Sequence, residues 1–469
     1  MSISQSRNRF QFKIPHTFVI LFSLIIIAAI ATWIIPAGQY DRVEDPNTGK
    51  MTVVPSSFKY IKPSPVGFFD TFVAVQKGMV DAASIIFFIF IVYASIYIVL
   101  KTGALDNAIA YTIKRLEGKE LLIIPISMYL FGLGGAIFGM SEETLAFIPI
   151  MVSLAIALGY DAIVGMSMVS LGVNTGFSAA FMNPFTIGVA QGIANLPLFS
   201  GMGFRIVNFI VFETLAVLWT MRYAAKIKKN PSASIVKDLD YSTFKIEGKE
   251  LNTEFTGRQK IILIIVGLTM AVLIYGVLKL GWYIDELAGL FLIMGIACGF
   301  VGGFNSSKIA EYFVEGCKEV ISGAFVVGLG RGILMVMNQG KITDTIVYAL
   351  SQPLLLLPKW VAAEGMLLVQ TLISFFIPSG SGMAAVTMPI MAPLADVLNI
   401  TRQVAVLAFQ YGDGFSNLLW PTTLIPVICG IAKVPIDRWW KYYTPFFFML
   451  LIVQMIFIAV AVAINYGPF

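Results

Sequence analysis

The sequence predicts an all-α polytopic membrane protein made of two inverted repeats, each with a re-entrant helical hairpin and a broken helix. Three observations carry this. Hydrophobic residues make up 58% of the 469 and charged residues only 13%, about half the ~25% charge of a soluble chain. Apolar runs long enough to cross a bilayer recur from Phe18 to the C-terminus. Short motifs recur in the same order at an offset near 240 residues. The polar side chains are too few to coat a soluble protein of this length. That excludes a soluble multidomain enzyme, a disordered chain and a nucleic-acid binder. One His and three scattered Cys (Cys298, Cys317, Cys429) leave no metal-ligand spacing and no disulfide framework.

In chain order, Arg7, Arg9 and Lys13 precede the apolar run from Phe18 to Ile35. The run is long for a signal peptide and no small-x-small cleavage site follows, so it reads as the first span. Plain spans are expected at about 17–36, 83–101, 203–224, 259–279, 285–303, 320–338 and 440–465. The stretches 66–81 and 304–319 are amphipathic and are expected to lie along the interface, as are 104–117 and 342–355. Runs near 120–139, 143–158, 163–195, 359–377, 383–398 and 403–434 are interrupted by Gly, Pro, Ser, Asn or acids. The polar stretch 225–258, with Pro231, reads as a cytoplasmic connector between a first repeat, 1–224, and a second, 259–469.

Orientation follows from the basic residues. With the N-terminus cytoplasmic, the segments 1–16, 101–119, 222–260, 304–319 and 433–441 hold 21 of the 32 Lys and Arg. The net charge of +5 is therefore mainly topological. Arg222, Lys226, Lys228 and Lys229 read as a positive-inside anchor. The repeat is seen in Phe147-Ile148-Pro149-Ile150-Met151 against Thr387-Met388-Pro389-Ile390-Met391. It is seen again in Gly176-Phe177-Ser178 against Gly414-Phe415-Ser416, and in Gly192–Pro197 against Gly430–Pro435. By the charge count, 120–158 starts inside and 359–398 starts outside. Inverted repeats with paired interrupted helices mark a secondary transporter, with its site at the midplane.

The breaks locate that site. Gly132, Gly134, Gly135 and Gly139 lead into Met140-Ser141-Glu142-Glu143-Thr144, and the chain is apolar again to Leu158. This is expected to be a hairpin over 120–158 with its tip at membrane depth, where non-helical backbone survives only in protein or beside a cavity. Pro378-Ser379-Gly380-Ser381-Gly382 is the matching tip of 359–398. Asn174–Ser178 with Asn183-Pro184 interrupts 163–195, and Asp413–Asn417 with Pro421-Thr422-Thr423 interrupts 403–434. Carbonyls freed at such breaks suit Na⁺, and helix N-termini suit carboxylates. Charges inside spans cost at least ~2.5 kcal/mol each at the centre, so Glu142, Glu143, Asp413 and Arg331 stand out, with Arg331 open to either an ion pair or substrate. Glu213 reads as a packing residue. Three acids and one Arg favour a cation, or a zwitterion with an extra amine or guanidinium, over a dicarboxylate.

Phe138-Gly139-Met140-Ser141-Glu142-Glu143, Asn183-Pro184-Phe185 and Val189–Ala194 resemble the YfcC-like membrane proteins, as do Ile14-Pro15-His16-Thr17 and Ala31–Gly38. These belong with the anaerobic C4-dicarboxylate carriers and basic amino acid antiporters of the ion transporter superfamily. The resemblance spans nearly the whole chain. It implies two hairpins and two unwound helices in a transport domain, moving elevator-fashion against a scaffold, often in a homodimer. The expected function is secondary transport of a small amino acid or carboxylate across the inner membrane, in its sharpest form arginine/ornithine-type exchange. A C4-dicarboxylate carrier is the alternative. The substrate amine would meet Glu142, Glu143 or Asp413. Its carboxylate would meet the hairpin-tip backbone and Asn174, Ser178, Asn183, Ser379, Ser381 and Ser416, and Ser141 and Asn417 complete the expected substrate-binding set. Na⁺ or H⁺ is the expected coupling ion, with no bound cofactor. With His16 the sole His, an intramembrane enzyme is not expected.

Overall fold

The computed structural model describes residues 17–44, 51–115, 118–244, 256–282 and 284–467. The basic stretch 1–16 with His16, and residues 245–255 of the connector, lie outside the described residues. Among the described residues eight helices are long and apolar enough to cross a bilayer. The chain is a multi-pass membrane protein.

Helix α1 (Thr17–Ile34) is apolar around its whole circumference, as a membrane span must be. The following loop carries two small antiparallel pairs. β1 (Gly38–Gln39) pairs with β4 (Lys59–Tyr60), and β2 (Arg42–Glu44) with β3 (Met51–Val53). Then come α2 (Phe68–Asp81), α3 (Ala83–Lys101) and α4 (Ala104–Arg115). The stretch expected to form the first hairpin consists of α5 (Ile123–Phe138) and α6 (Ile148–Ala157). At 1.5 Å per residue α6 is ~15 Å long, half the ~30 Å of hydrocarbon. Gly139, in the left-handed conformation at φ 70°, turns the chain into the tip, which closes as a 3₁₀ turn over Glu142–Ala146.

The first broken helix runs as α7 (Ala162–Met166), a π-helical turn over Ser167–Leu171, and α8 (Gly172–Ser178). After the break Asn183 starts a second π turn at Pro184–Gly188, which leads into α9 (Val189–Ile193). The 28-residue α10 (Met202–Lys229) closes the first half.

The second half opens with α11 (Gly257–Tyr275) and α12 (Ile284–Val301). Next, α13 (Ser306–Gln339) fuses the expected interfacial stretch and span into one helix bent by 42° around residue 323. In the first half the equivalent pair is cut at Ala82 into α2 and α3. α14 (Thr343–Ser351) follows. The stretch expected to form the second hairpin consists of α15 (Lys359–Phe376) and α16 (Gly380–Val397), the latter with Pro389 and Pro393 inside it. The second broken helix is α17 (Arg402–Ser416) and α18 (Ile425–Ile431), and α19 (Ile436–Ala463) ends the chain with another 28 residues. The order hairpin, broken helix, long helix thus occurs twice, and α5 packs on α8 as α15 packs on α17.

Two sets of contacts divide the helices. α1, α2, α3, α12 and α13 pack on one another, and α11 on α12; the hairpins, broken helices, α10 and α19 form the other set. Within the second set runs a buried polar seam that the composition does not announce. Arg205 of α10 is 1% exposed and donates to Tyr466 Oη at 3.2 Å and Gln403 Oε1 at 3.1 Å. Asn208 donates to Tyr411. Glu213 is fully buried against Gly132 of α5, and neither of its carboxylate oxygens has a hydrogen-bond partner among the described residues. The connector is fastened here too. Tyr223 Oη (2.7 Å) and Ser234 Oγ (2.6 Å) both donate to Asp161, which caps α7.

Candidate functional site

Both hairpin tips and both broken helices converge on one cavity of about 150 Å³. The first tip contributes Ser141, Glu142 and Glu143, the second Ser379, Gly380 and Ser381. The broken helices contribute Asn174, Thr186, Asp413, Asn417, Thr422 and Thr423. Ile85 of α3 and Val327 and Arg331 of α13 close it from the other helix set. The cavity therefore lies between the two packing units. It is well below the ~300–1,000 Å³ of drug-sized sites, which suits one small solute.

The carboxylates differ in how they are held. Glu143 Oε2 accepts the Ser141 N–H at 2.9 Å, which folds the tip onto itself. Arg331 lines the same cavity as Glu142. Its own ion pair, however, is with Asp81 of α2, Nε to Oδ2 at 3.6 Å. Asp413 is 1% exposed, and neither carboxylate oxygen has a hydrogen-bond partner among the described residues. It faces the start of α16: a Cβ added to Gly380 would stand 2.7 Å from Asp413 Oδ2 and 2.6 Å from Thr186 Cγ2. The N-terminus of α16 is capped by Ser379, whose Oγ accepts the Gly382 N–H at 3.3 Å. That end carries partial positive charge.

Nine of the twelve candidate residues line the cavity, and three do not. Ser178 is buried and accepts from Gln454 Nε2 of α19 at 3.0 Å. Asn183 is buried behind the first tip, where its Oδ1 accepts the Phe185 N–H at 2.9 Å. Ser416 donates to Gly412 O at 2.7 Å, an intrahelical bond. Each spends its side chain on bracing a break. Thr186, Thr422 and Thr423 join the lining without having been singled out as site residues; the flanking Asn183-Pro184 and Pro421 were their only signal.

Several carbonyls at the second break already accept a hydrogen bond. Tyr443 Oη donates to Phe415 O at 2.6 Å, Trp439 Nε1 to Leu418 O at 2.9 Å, and Trp440 Nε1 to Leu419 O at 2.8 Å. Thr423 Oγ1 donates to Asn417 O at 2.6 Å, and Gln410 Nε2 reaches across to Phe177 O at 2.6 Å in the first break. Among the described residues no group of three or more His, Cys, Asp or Glu is placed to hold a metal ion.

The chain is similar to two proteins of known sequence and to two solved structures. The "Putative basic amino acid antiporter YfcC" of Escherichia coli (strain K12) is 34% identical, over 99% of this chain and 99% of that protein. An "Uncharacterized protein" of Haemophilus influenzae is 30% identical over 98% and 99%. The crystal structure of the Alcanivorax borkumensis YdaH transporter is similar over 97% of this chain and all of that one, at 16% identity and a TM-score of 0.44. That of Neisseria gonorrhoeae MtrF covers 96% of both chains at 14% identity and 0.41. The model of the DcuC family, C4-dicarboxylate anaerobic carriers, matches residues 14–463. With that match across nearly its whole length, the chain belongs to the DcuC family of membrane transporters.

Proposed function

We propose that the protein is a secondary active transporter that exchanges basic amino acids across the cytoplasmic membrane by alternating access. The observation that carries this is Asp413: a buried carboxylate at the cavity wall whose two oxygens have no protein partner among the described residues. An unpaired charge in that position is costly and is repaid by a cation that fits against it. Glu142 and Glu143 add acidity on the same cavity, and Arg331 is engaged by Asp81. The substrate's cationic group meets Asp413 with Glu142 or Glu143, and its carboxylate meets the N-terminus of α16 with Ser379, Ser381 and Asn417. The unit of hairpins, broken helices, α10 and α19 moves against the α3–α13 side. The two halves are inverted repeats, the N-terminus is cytoplasmic, and the working unit is a homodimer. Net flux is driven by Na⁺ or H⁺.

A second reading, C4-dicarboxylate carriage, is favoured by the family match and by the α16 N-terminus with Arg331 on one cavity. Counterflow in proteoliposomes separates the two. Labelled arginine uptake is expected to be chased by arginine and ornithine but not by succinate, and to be lost in the double variant Glu142→Gln with Asp413→Asn. Chase by succinate alone would reverse the assignment, and unchanged uptake in the double variant would remove the site.

A further inference from the structure

A cavity of about 650 Å³ lies away from the central site, at the C-terminal end of α10 and the N-terminal end of α19. Five cations line it from three segments: Arg222 and Lys226 of α10, Lys237 of the connector, and Arg438 and Lys441 of α19. No acid lines it. Arg438 is paired with Asp238 at 2.7 Å. Among the described residues the other four carry no ion pair, so the charge of the pocket is largely uncompensated. A simple positive-inside anchor would leave its cations pointing separately into water. Here Lys228 and Lys229 do stay outside the pocket, and Lys228 pairs with Glu120 at 3.5 Å. Arg222 and Lys226 instead join cations from distant parts of the chain.

The wall is amphipathic in a telling way. Trp219 and Tyr442 line the cavity beside the cations, and the buried Trp219 indole N–H has no acceptor among the described residues. It is a donor waiting for an oxygen. On the same helices Leu218, one turn before Arg222, and Phe448, about two turns beyond Lys441, are exposed (56% and 57%) in the parts of α10 and α19 long and apolar enough to span. The pocket thus sits where an apolar surface gives way to converging cations, the position of a phospholipid headgroup.

We infer that this pocket binds an anionic phosphodiester, the headgroup of an acidic phospholipid, which clamps the connector to α10 and α19. The phosphate oxygens take the Arg222, Lys226 and Lys441 charges and the Trp219 N–H. The acyl chains lie along Leu218 and Phe448. Because Ser234 and Tyr223 tie this corner to Asp161, the lipid braces the start of the first broken helix without touching the central cavity.

The test is thermal unfolding of the purified full-length protein in detergent, titrated with phosphatidylglycerol, with phosphatidylcholine of the same chains, and with free glycerol phosphate. A ligand that binds only the native state raises the midpoint by mass action. Phosphatidylglycerol is expected to raise it, and the other two to leave it unchanged at equal concentration. The triple variant Arg222→Gln, Lys226→Gln, Lys441→Gln is expected to weaken the titration at least tenfold, and Trp219→Phe severalfold. Lys228→Gln with Lys229→Gln, which removes charge from the same helix end outside the pocket, is expected to titrate like the wild type. Equal stabilisation by phosphatidylcholine would overturn the inference, as would equal loss in the Lys228/Lys229 control or unchanged titration of Trp219→Phe. A matching response to free glycerol phosphate would overturn the lipid assignment.

Discussion

Asp413 and Gly380 stand in close contact at the wall of the central cavity. With no room for a Cβ between Asp413 Oδ2 and Thr186 Cγ2, Gly380→Ala must push one of them aside. Overpacking of this kind costs ~1–3 kcal/mol. The variant is expected to lose uptake while remaining monodisperse in size-exclusion chromatography. Asp413→Asn keeps the shape and removes the charge. It is expected to lower uptake of a cationic substrate ~100-fold, the equivalent of ~3 kcal/mol of desolvated ion pair, measured as initial rate in proteoliposomes. Glu142, Glu143 and Asp413 were readable from sequence because a charge in an apolar run has few uses. Thr186, Thr422 and Thr423 were not, since a hydroxyl in an apolar helix usually satisfies itself on the preceding turn, as Thr175 does on Leu171 O at 2.6 Å. The same ambiguity put Ser178 and Ser416 among the candidates. Arg205 escaped notice because it lies three residues into a span, where an Arg reads as an interfacial anchor. The sequence also held no sign that Asp81, at the end of an amphipathic stretch, would take Arg331.

At the level of the element, a broken helix is stable only if something accepts responsibility for its open backbone. In the second break α19 does so, through Trp439 and Tyr443. Replacing both by Phe strips the donors and leaves buried carbonyls short of a bond. The loss is expected to be ~1 kcal/mol per site, read as a lower midpoint in detergent thermal unfolding with Trp440 untouched. The breaks were legible because at each of them Gly or Pro stands beside Ser, Asn or an acid inside an apolar run. The fusion of 304–319 with the following span into α13 was not, because amphipathicity tells which face is polar, not whether the helix bends or stops. The strand pairs after α1 were also hidden: two- and three-residue strands carry no alternation to read. That loop is nevertheless firmly seated. Asp344, 5% exposed, accepts the Tyr40 N–H at 3.0 Å and pairs with Arg42 at 2.7 Å, while Phe58 stacks on Tyr348 at 4.0 Å. Asp344→Ala leaves Arg42 and a buried N–H unpaired. It is expected to cost ~1–3 kcal/mol and to open the loop to limited proteolysis.

Across the whole molecule, the cavity is shared by two packing units, so relative motion of those units would open and close it. Gly330 of α13 and Thr422 of the second break mark the seam: a Cβ on Gly330 would stand 3.7 Å from Thr422 Cα. That spacing is within reach of a disulfide. In a variant with Cys298, Cys317 and Cys429 replaced, Gly330→Cys with Thr422→Cys is expected to lose uptake on oxidation and regain it on reduction. Full activity in the oxidised state would mean that the two units do not slide. The long helices α10 and α19 bear on the same point. At 28 residues each they are ~42 Å long, about 12 Å more than the hydrocarbon they cross. The overhang at the end where they meet is basic, with Arg222, Lys226, Lys228 and Lys229 on α10 and Arg438 and Lys441 on α19, so a body that travels along the membrane normal does so only as far as these charges stay outside the acyl layer. Bilayer thickness then sets the available stroke. Turnover in vesicles of progressively longer acyl chains should fall once the overhang is used up, whatever the solute carried.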